Sequence, residues 1–323
     1  MSIYEFLKNR TPNELAADGY LLPDSGELTL RAGESWVPGA YEGIVLRTNM
    51  RIKQHLILDY HIARAVKRYV LHPSDAACAK VERYPVKYSA ISIADPICSI
   101  CVALKITKKS EQKASLRALA KKLALESSKR EAVKFGIALL GISGEPEDLE
   151  IIKPLGMHDE FTLYVAGTAS RILEKDPTAK NAYLKELAES VSGWGKIAVM
   201  YEFDYSNPAI RLWTVTHGCD NRIGLSYLAN VCATKGDMKS VLSDMQDGKF
   251  SESGAYEDKA IFHGICDIFT GLLDPEENND GLNEYRDAYE SAKYFAKLCE
   301  DRPELAVSDM RSEKILNGIK YIL

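Results

Sequence analysis

The chain has 323 residues, 46% hydrophobic and 27% charged, a composition typical of a globular protein with room for one or two domains. Asp and Glu (46) outnumber Lys and Arg (41), and the formal charge of −5 argues against a general polyanion binder, since nucleic-acid affinity depends on basic residues. Seven dispersed cysteines, no signal-peptide pattern and no apolar run of membrane-spanning length predict a cytoplasmic protein without a membrane partner.

Two short helices are predicted at the amino terminus. Ser2 with Glu5, and Thr11 with Glu14, have the spacing of a capping box, in which each residue satisfies a backbone N–H of the other. Gly19 is expected to end the second helix, because glycine adopts the left-handed conformation that terminates helices.

Residues 21–50 change in character, because glycine and proline interrupt them repeatedly. Two short runs, 27–31 and 44–47, alternate as β-strands do, so an irregular and partly β-structured segment is expected. One interpretation makes the segment a cap over the helices that follow, with Trp36 and Tyr41 as packing residues, since repeat proteins need terminal caps. The alternative is a binding loop in which these aromatic side chains contact a partner.

Helices are expected over much of the next eighty residues. Residues 59–71 place apolar side chains on one face and Arg64, Lys67 and Arg68 on the other. A basic connection is expected over residues 105–113. Further helices are predicted from Asp75 to Val81, closed by Pro85, from Asp95 to Leu104, and from Ser115 to Ser127.

A spacing of 31 residues organises the middle of the chain. Pro146, Pro177 and Pro208 lie 31 residues apart, and each follows an acidic or amide residue. An acceptor side chain followed by proline is typical of a helix start, so each pair predicts the second helix of a repeated helical hairpin. Gly236 and Asp237 supply a turn and a cap at the corresponding place in the next unit.

Small residues share this period in the first helix of each unit. Gly136, Gly167, Ala198 and Ala229 are also 31 residues apart. Small residues let helix backbones approach closely, so a close helix contact is expected at the same point of four successive units. Two registers with one period indicate a stacked-repeat architecture.

This region resembles HEAT-like repeats of the short bacterial type. The resemblance rests on an apolar helix ending in Leu140-Gly141, followed by Gly144-Glu145-Pro146 and a second apolar helix, and it covers residues 131–246. It implies an all-α superhelix, or solenoid, whose second helices line a concave groove. HEAT-like solenoids serve as scaffolds, chaperones, lyases and DNA-repair enzymes, so the resemblance predicts the fold and little of the function.

The carboxyl-terminal part, residues 251–323, is expected to form a divergent helical cap without the 31-residue period. The acidic run 274–281 offers oxygen ligands for a divalent cation, but it lacks the ligand order of an EF-hand and is interpreted as a solvated loop. The predicted organisation is an amino-terminal cap segment over residues 1–50 and a helical repeat domain over residues 51–323.

Cys98 and Cys101 form a C-x-x-C pair within a predicted apolar helix. A redox site would open a helix after a strand, and a zinc site would need a second pair of ligands. The sequence shows neither the preceding strand nor the second pair of ligands, so the two thiols are interpreted as buried structural cysteines.

The run 211–222 holds the most unusual side chains of the regular region. Trp213 and His217 lie four residues apart and share a helix face. A groove position would let them contact a partner; the alternative is a core tryptophan and a histidine placed at a helix carboxyl terminus. The candidate partner-binding residues are Arg211, Trp213, His217, Asp220, Arg222 and Trp194.

The sequence predicts a non-enzymatic scaffold that binds a protein or peptide in the groove, with no catalytic residue, cofactor or metal site. The alternative is a groove-based enzyme or nucleic-acid-acting protein resembling HEAT-like DNA glycosylases. In that case Trp194 and Trp213 would be the groove aromatic residues and Asp204 the functional aspartate. A basic patch around Trp213 would favour that alternative. A deoxyhypusine-hydroxylase-like site needs His-Glu pairs, and His158 is followed by Asp159.

Overall fold

The computed structural model describes residues 1–17, 19–25, 36–47, 56–250, 258–274 and 281–323. Within those ranges the chain is helical and contains no strand, so the predicted all-α fold is confirmed. None of the helices in these ranges is long and apolar enough to cross a bilayer.

The chain divides into two compact units, residues 1–202 and residues 203–323. The first contains α1 (Ile3–Leu7), α2 (Pro12–Ala17), α3 (Ala40–Arg47), α4 (Leu56–Leu71), α5 (Asp75–Tyr88), α6 (Ala90–Ala103), α7 (Ser110–Glu126), α8 (Arg130–Ser143), α9 (Pro146–Gly156), α10 (Asp159–Ile172), α11 (Pro177–Ser190) and α12 (Trp194–Met200). The second contains α13 (Pro208–Trp213), a π-helical turn (Thr214–Gly218), α14 (Ser226–Lys235), α15 (Met238–Gln246), α16 (Asp258–Leu272), a 3-10 turn (Leu282–Glu284), α17 (Ala288–Asp301), α18 (Pro303–Ser308) and α19 (Ser312–Ile319).

The capping box predicted for Thr11 and Glu14 is present in full, whereas the one predicted for Ser2 and Glu5 forms only one of its two hydrogen bonds. The Glu5 N–H donates to Ser2 Oγ over 3.1 Å. The Thr11 N–H donates to Glu14 Oε2 over 2.7 Å, and the Glu14 N–H donates to Thr11 Oγ1 over 3.3 Å. Gly19 follows α2 with a φ of +65°, the left-handed conformation expected at a helix end.

The strand predicted over residues 44–47 is wrong, because these residues form the end of α3. A four-residue alternation is too short to distinguish a strand from one face of a helix. Gly43 places the α3 backbone directly against the indole of Trp194 in α12, and a side chain there would overlap the ring. The other predicted strand, residues 27–31, lies outside the described residues.

Helix α5 begins at Asp75 as predicted but does not end at Pro85, and helix α6 does not begin at Asp95. Ser74 rather than Asp75 caps α5, its Oγ accepting from the Ala77 N–H over 3.2 Å, and the helix continues through Pro85. Helix α6 begins at Ala90, ahead of the predicted start. A carboxylate from α8 caps it, as the Ala90 N–H donates to Glu131 Oε2 over 2.6 Å.

The prolines with the 31-residue spacing are confirmed as helix starts, because each is the first residue of α9, α11 or α13. Asp176 Oδ1 accepts from the Ala179 N–H over 3.0 Å, and Asn207 Oδ1 accepts from the Ala209 N–H over 2.9 Å. Asp237 precedes α15 in the left-handed conformation with φ +57° and makes no side-chain cap, so only the predicted turn is found there.

Close helix contacts occur at two of the four small residues that share the period. A Cβ on Gly136 would lie 2.6 Å from Ala124 N, so α8 and α7 approach with their backbones nearly in contact. Ala229 is fully buried in α14 against Gly271 of α16. A Cβ on Gly167 would meet no atom within 4 Å, and Ala198 is half-buried. The four small residues therefore keep the 31-residue spacing in the sequence without making the same close helix contact in every unit.

Successive helices pack against one another within each unit. In the first unit α8 contacts α6, α7 and α10, and α10 contacts α9, α11 and α12. In the second unit α16 contacts α14 and the π-helical turn, and α17 contacts α15. The described residues from Asp258 onward are largely helical, as expected for this region, and most of the acidic run 274–281 lies outside the described residues. The superhelical path implied by the HEAT-like resemblance stays a prediction.

Candidate functional site

Trp213 lies in the core of the second unit. Its side chain is 2% exposed, and its ring centroid is 5.5 Å from that of Phe203. The His217 ring is also a neighbour, with centroids 6.3 Å apart, as the spacing of four residues predicts. Burial favours the packing interpretation of this tryptophan over direct contact with a partner.

The polar candidates that follow Trp213 lie at the surface. His217, Asp220 and Arg222 are exposed, whereas Arg211 is half-buried, with Nη1 3.6 Å from Asp237 Oδ2. Their side chains carry both signs of charge, which is not the uniform basic patch that a nucleic-acid site around Trp213 would require.

Asn221 fixes the turn that carries these exposed side chains. Its Nδ2 donates to Cys219 O over 2.9 Å and to Gly224 O over 3.0 Å. Its Oδ1 accepts the N–H groups of Ile223 and Gly224, each over 2.9 Å. The turn is therefore ordered by one amide side chain, and the π-helical turn before it is of a kind often found at functional sites.

Trp194 belongs to the first unit, where it begins α12 and is 8% exposed. Asp204 makes a local turn, as its Oδ1 accepts from the Ser206 N–H over 3.0 Å. A base-stacking site needs exposed aromatic faces, so burial of both indoles weakens the glycosylase-like alternative.

Both thiols of the C-x-x-C pair lie in the core of α6, as predicted. Burial raises the pKa of Cys98 and of Cys101 to about 12. A thiol with so high a pKa is a poor nucleophile and a poor metal ligand at neutral pH, because thiolate is the reactive form.

A buried charge cluster, which the sequence did not predict, surrounds Lys134 of α8. The Lys134 side chain is 2% exposed, and its Nζ lies 2.8 Å from Glu131 Oε1 and 2.7 Å from Glu160 Oε1. It also donates to Glu42 of α3. We call these four residues the Lys134 cluster. Only Glu131 is near Lys134 in sequence, so the local pattern carries no sign of the other two partners.

A second buried cation, Arg130, adjoins the Lys134 cluster. Its Nη2 lies 2.9 Å from Asp24 Oδ1, and its Nη1 lies 3.4 Å from Glu160 Oε1. The Gly39 N–H also donates to Glu160 over 3.0 Å. The two cations and the Glu160 carboxylate thereby attach residues 24, 39 and 42 of the amino-terminal segment to α8 and α10.

The carboxylates of the Lys134 cluster differ in proton affinity. Burial raises the pKa of Glu42, and the Lys134 ammonium only partly opposes it. Burial also acts to raise the pKa of Glu160, but Lys134 and Arg130 together hold it below its ordinary value. Burial disfavours the Lys134 ammonium, yet the three carboxylates raise its pKa, so the lysine stays charged.

Three carboxylates in the Lys134 cluster lie as close together as metal ligands do. One oxygen from each of Glu42, Glu131 and Glu160 lies within 4.8 Å of the others. The Lys134 ammonium hydrogen-bonds all three and so supplies the positive charge that a cation would otherwise bring. This arrangement fits a structural link between α3, α8 and α10.

A basic stripe lies on α4 and is the candidate binding surface. We call Tyr60, Arg64, Lys67, Arg68 and His72 the α4 stripe. With Leu71 and Leu104 they line a pocket of about 400 Å³. Spacings of three and four residues place the four members within α4 on one helix face, and His72 directly follows the last residue of the helix.

The cations of the α4 stripe are uncompensated within the described part of the chain. Arg64, Lys67 and Arg68 form no ion pair with any described residue, and no acidic side chain lines the pocket. The Arg64 guanidinium carbon lies 5.9 Å from the centroid of the Tyr60 ring. The sequence pattern predicts these cations opposite the apolar face of a helix, but it contains no sign of the pocket, which also needs Leu104 from beyond the end of α6.

Comparisons of the chain with protein-family models, with curated proteins and with solved structures found no match. The HEAT-like resemblance therefore stays a prediction.

Proposed function

We propose that the protein is a non-enzymatic interaction scaffold that binds an acidic segment of a protein partner through the α4 stripe. The observation that carries the proposal is a pocket of about 400 Å³ lined by three cations without described carboxylate partners. HEAT-like scaffolds bind partners along their helices, so the resemblance is consistent with this function. A cytoplasmic location is part of the same proposal.

The electrostatics of the α4 stripe favour an anionic partner. Like charges on adjacent turns of a helix repel each other, by a few tenths of a kcal/mol per pair. A partner that brings carboxylates to the stripe relieves this repulsion. Exposed ion pairs contribute only about 0.2–1 kcal/mol each, so the stripe is expected to set association rate and specificity more than affinity.

Exposed apolar side chains beside these cations supply contact area. Tyr60 is 48% exposed, Leu71 is 46% exposed, and Ile57, one turn before Tyr60, is 80% exposed. Burial of apolar surface contributes about 25 cal/mol per Å², which adds affinity that ion pairs alone do not provide. An acidic segment with interspersed apolar residues therefore fits the surface better than a purely acidic one.

The exposed side chains of the 217–222 turn are a second candidate contact. His217, Asp220 and Arg222 carry mixed charge on an ordered turn, which suits a polar partner surface. They do not define one ligand chemistry, so the proposal is placed on α4.

Binding of a fluorescein-labelled oligoglutamate peptide, followed by anisotropy over a salt series, tests the proposal. The wild type is expected to bind at low ionic strength and more weakly at physiological salt, because exposed charges are screened within about 8 Å there. The variant Arg64→Ala/Arg68→Ala is expected to lose at least about tenfold in affinity, or about 1.4 kcal/mol.

A matched control removes two exposed cations from the neighbouring helix α5. Arg83→Ala/Lys87→Ala makes the same change in net charge on the same unit. It is expected to bind the peptide as the wild type does. Salt-independent binding, or an equal loss in both double variants, would contradict the proposal.

The nucleic-acid alternative is tested in the same assay with a labelled single-stranded oligonucleotide. Stronger binding of the oligonucleotide than of the peptide, again lost in Arg64→Ala/Arg68→Ala, would replace the acidic-protein proposal with that alternative.

A further inference from the structure

We propose that the pocket lined by the α4 stripe binds the phosphate group of a phosphorylated side chain in the partner. This inference rests on the proposed function, because it assigns a ligand to the same surface. It goes further in stating that the pocket prefers a phosphate to the carboxylates around it.

The hydrogen-bonding groups of the pocket match a ligand with many acceptor oxygens. Two guanidinium groups and one ammonium donate hydrogen bonds and accept none. Tyr60 and His72 add groups that can also donate. A phosphorylated side chain presents three strong acceptor oxygens and a charge of about −1.5 to −2 at pH 7, whereas a carboxylate presents two oxygens and one charge.

The spacing of the arginines suits a single small anion. Arg64 and Arg68 lie four residues apart, and neighbours at that spacing are about 5–6 Å apart at their Cβ atoms. Both guanidinium groups can therefore reach one tetrahedral anion between them. Guanidinium binds phosphate in a bidentate fashion that an ammonium does not reproduce, so the two arginines carry the selectivity.

Among the residues that the structure describes, no carboxylate lines the pocket. Asp59 is adjacent in sequence to Tyr60, but its side chain is buried, with 3% exposure, and does not line the pocket. The segment after α6 contributes Leu104, and exposed Lys105 follows it. A phosphate would thus meet cations and apolar walls.

The apolar lining of the pocket favours a phosphorylated side chain of a protein. A volume of about 400 Å³ lies at the small end of ligand pockets and exceeds what an isolated phosphate would fill. Leu71, Leu104 and the Tyr60 ring offer apolar contact for the carbons that carry the phosphate. Nucleic acid would instead require a basic track that continues beyond one helix face.

The test compares three labelled peptides that differ only at a central residue flanked by glutamates. That residue is phosphoserine, serine or glutamate. The wild-type protein is expected to bind the phosphoserine peptide at least about tenfold more tightly than the glutamate peptide. The variant Arg64→Lys/Arg68→Lys keeps both charges and is expected to lose this preference, while binding of the glutamate peptide changes less than about threefold.

The results distinguish failure of the phosphate inference from failure of the proposed function. Equal binding of the phosphoserine and glutamate peptides, lost in Arg64→Ala/Arg68→Ala, would overturn the phosphate inference and leave the proposed function standing. A phosphate preference that survives in Arg64→Lys/Arg68→Lys would also overturn it. Binding of none of the peptides would overturn both claims. Free O-phosphoserine that competes as well as the whole peptide would replace the protein partner with a small phosphate monoester.

Discussion

At the scale of single residues, Lys134 and Glu42 are expected to contribute unequally to stability although they bond to each other. Lys134→Met removes the ammonium that bonds buried Glu42 and Glu160 and half-buried Glu131, and breaking a buried pair in this way costs about 3–5 kcal/mol. Glu42→Gln keeps an acceptor for Lys134 but removes a charge whose pKa burial raises, so its cost is expected to stay below about 1.5 kcal/mol. Urea unfolding at pH 7 measures both.

The companion variant Glu160→Gln is the control for this difference. Glu160 bonds to Lys134, lies near Arg130 and has a lowered pKa, so loss of its charge is expected to destabilise more than Glu42→Gln. Equal losses in the two glutamine variants would show that the carboxylates are interchangeable, contrary to the difference in their pKa values.

His158 is expected to make stability depend on pH between about 6.5 and 4. Burial lowers its pKa to about 4, its Nδ1 accepts from the Glu160 N–H over 3.2 Å, and its Nε2 donates to Tyr20 O over 3.1 Å. The unfolded chain binds a proton near pH 6.5 and the folded chain does not, so protonation favours unfolding. The free energy of unfolding should fall by up to about 3 kcal/mol over this range.

The variant His158→Asn isolates that contribution. Asparagine retains a helix-capping side chain but does not titrate, so the difference in unfolding free energy between wild type and variant should shrink as the pH falls from 6.5 to 4.5. Asp148 does not interfere with this measurement. Burial acts to raise the pKa of Asp148, but Arg117 and Lys121 hold that pKa at about 2, well below this range. A difference that is constant with pH would rule out a buried neutral histidine.

At the scale of helices, two glycines at equivalent repeat positions are expected to respond oppositely to alanine. A Cβ on Gly136 would lie 2.6 Å from Ala124 N and 2.7 Å from Ala120 O, both backbone atoms of α7. Overpacking of this kind typically costs about 1–3 kcal/mol. Gly167 has open space, so Gly167→Ala is expected to stabilise by about 0.5–1 kcal/mol through helix propensity.

Thermal unfolding of the two alanine variants beside the wild type checks this prediction. The midpoint should fall for Gly136→Ala and rise for Gly167→Ala. A rise for both would mean that the contact between α7 and α8 is looser than these distances indicate, and a fall for both would mean that Gly167 is also tightly packed.

The helix starts that the sequence predicted correctly are those whose caps are local. Asp176 and Asn207 bond to N–H groups within three residues, so a short pattern contains the whole signal. The start of α6 was missed because its cap, Glu131, is 41 residues away from Ala90. The Lys134 cluster was missed for the same reason, since Glu42 lies 92 residues from Lys134. The pocket likewise depends on which helices meet, which no local pattern encodes.

At the scale of the whole molecule, the distribution of charge matters more than its sum. A formal charge of −5 repels an acidic partner at long range, while the α4 stripe attracts it at short range. Salt screens both effects, and the association is therefore expected to select partners that bring negative charge to this one surface.

Locating the bound peptide on the molecule decides whether α4 is the binding surface. Lysine acetylation, read by mass spectrometry with and without saturating acidic peptide, compares Lys67 of the α4 stripe with exposed Lys87 of α5. The peptide is expected to slow acetylation of Lys67 at least about fivefold and to leave Lys87 unchanged, because an occupied pocket excludes the reagent. Equal protection of the two lysines, or protection of neither under saturation, would contradict the assignment of α4 as the binding surface.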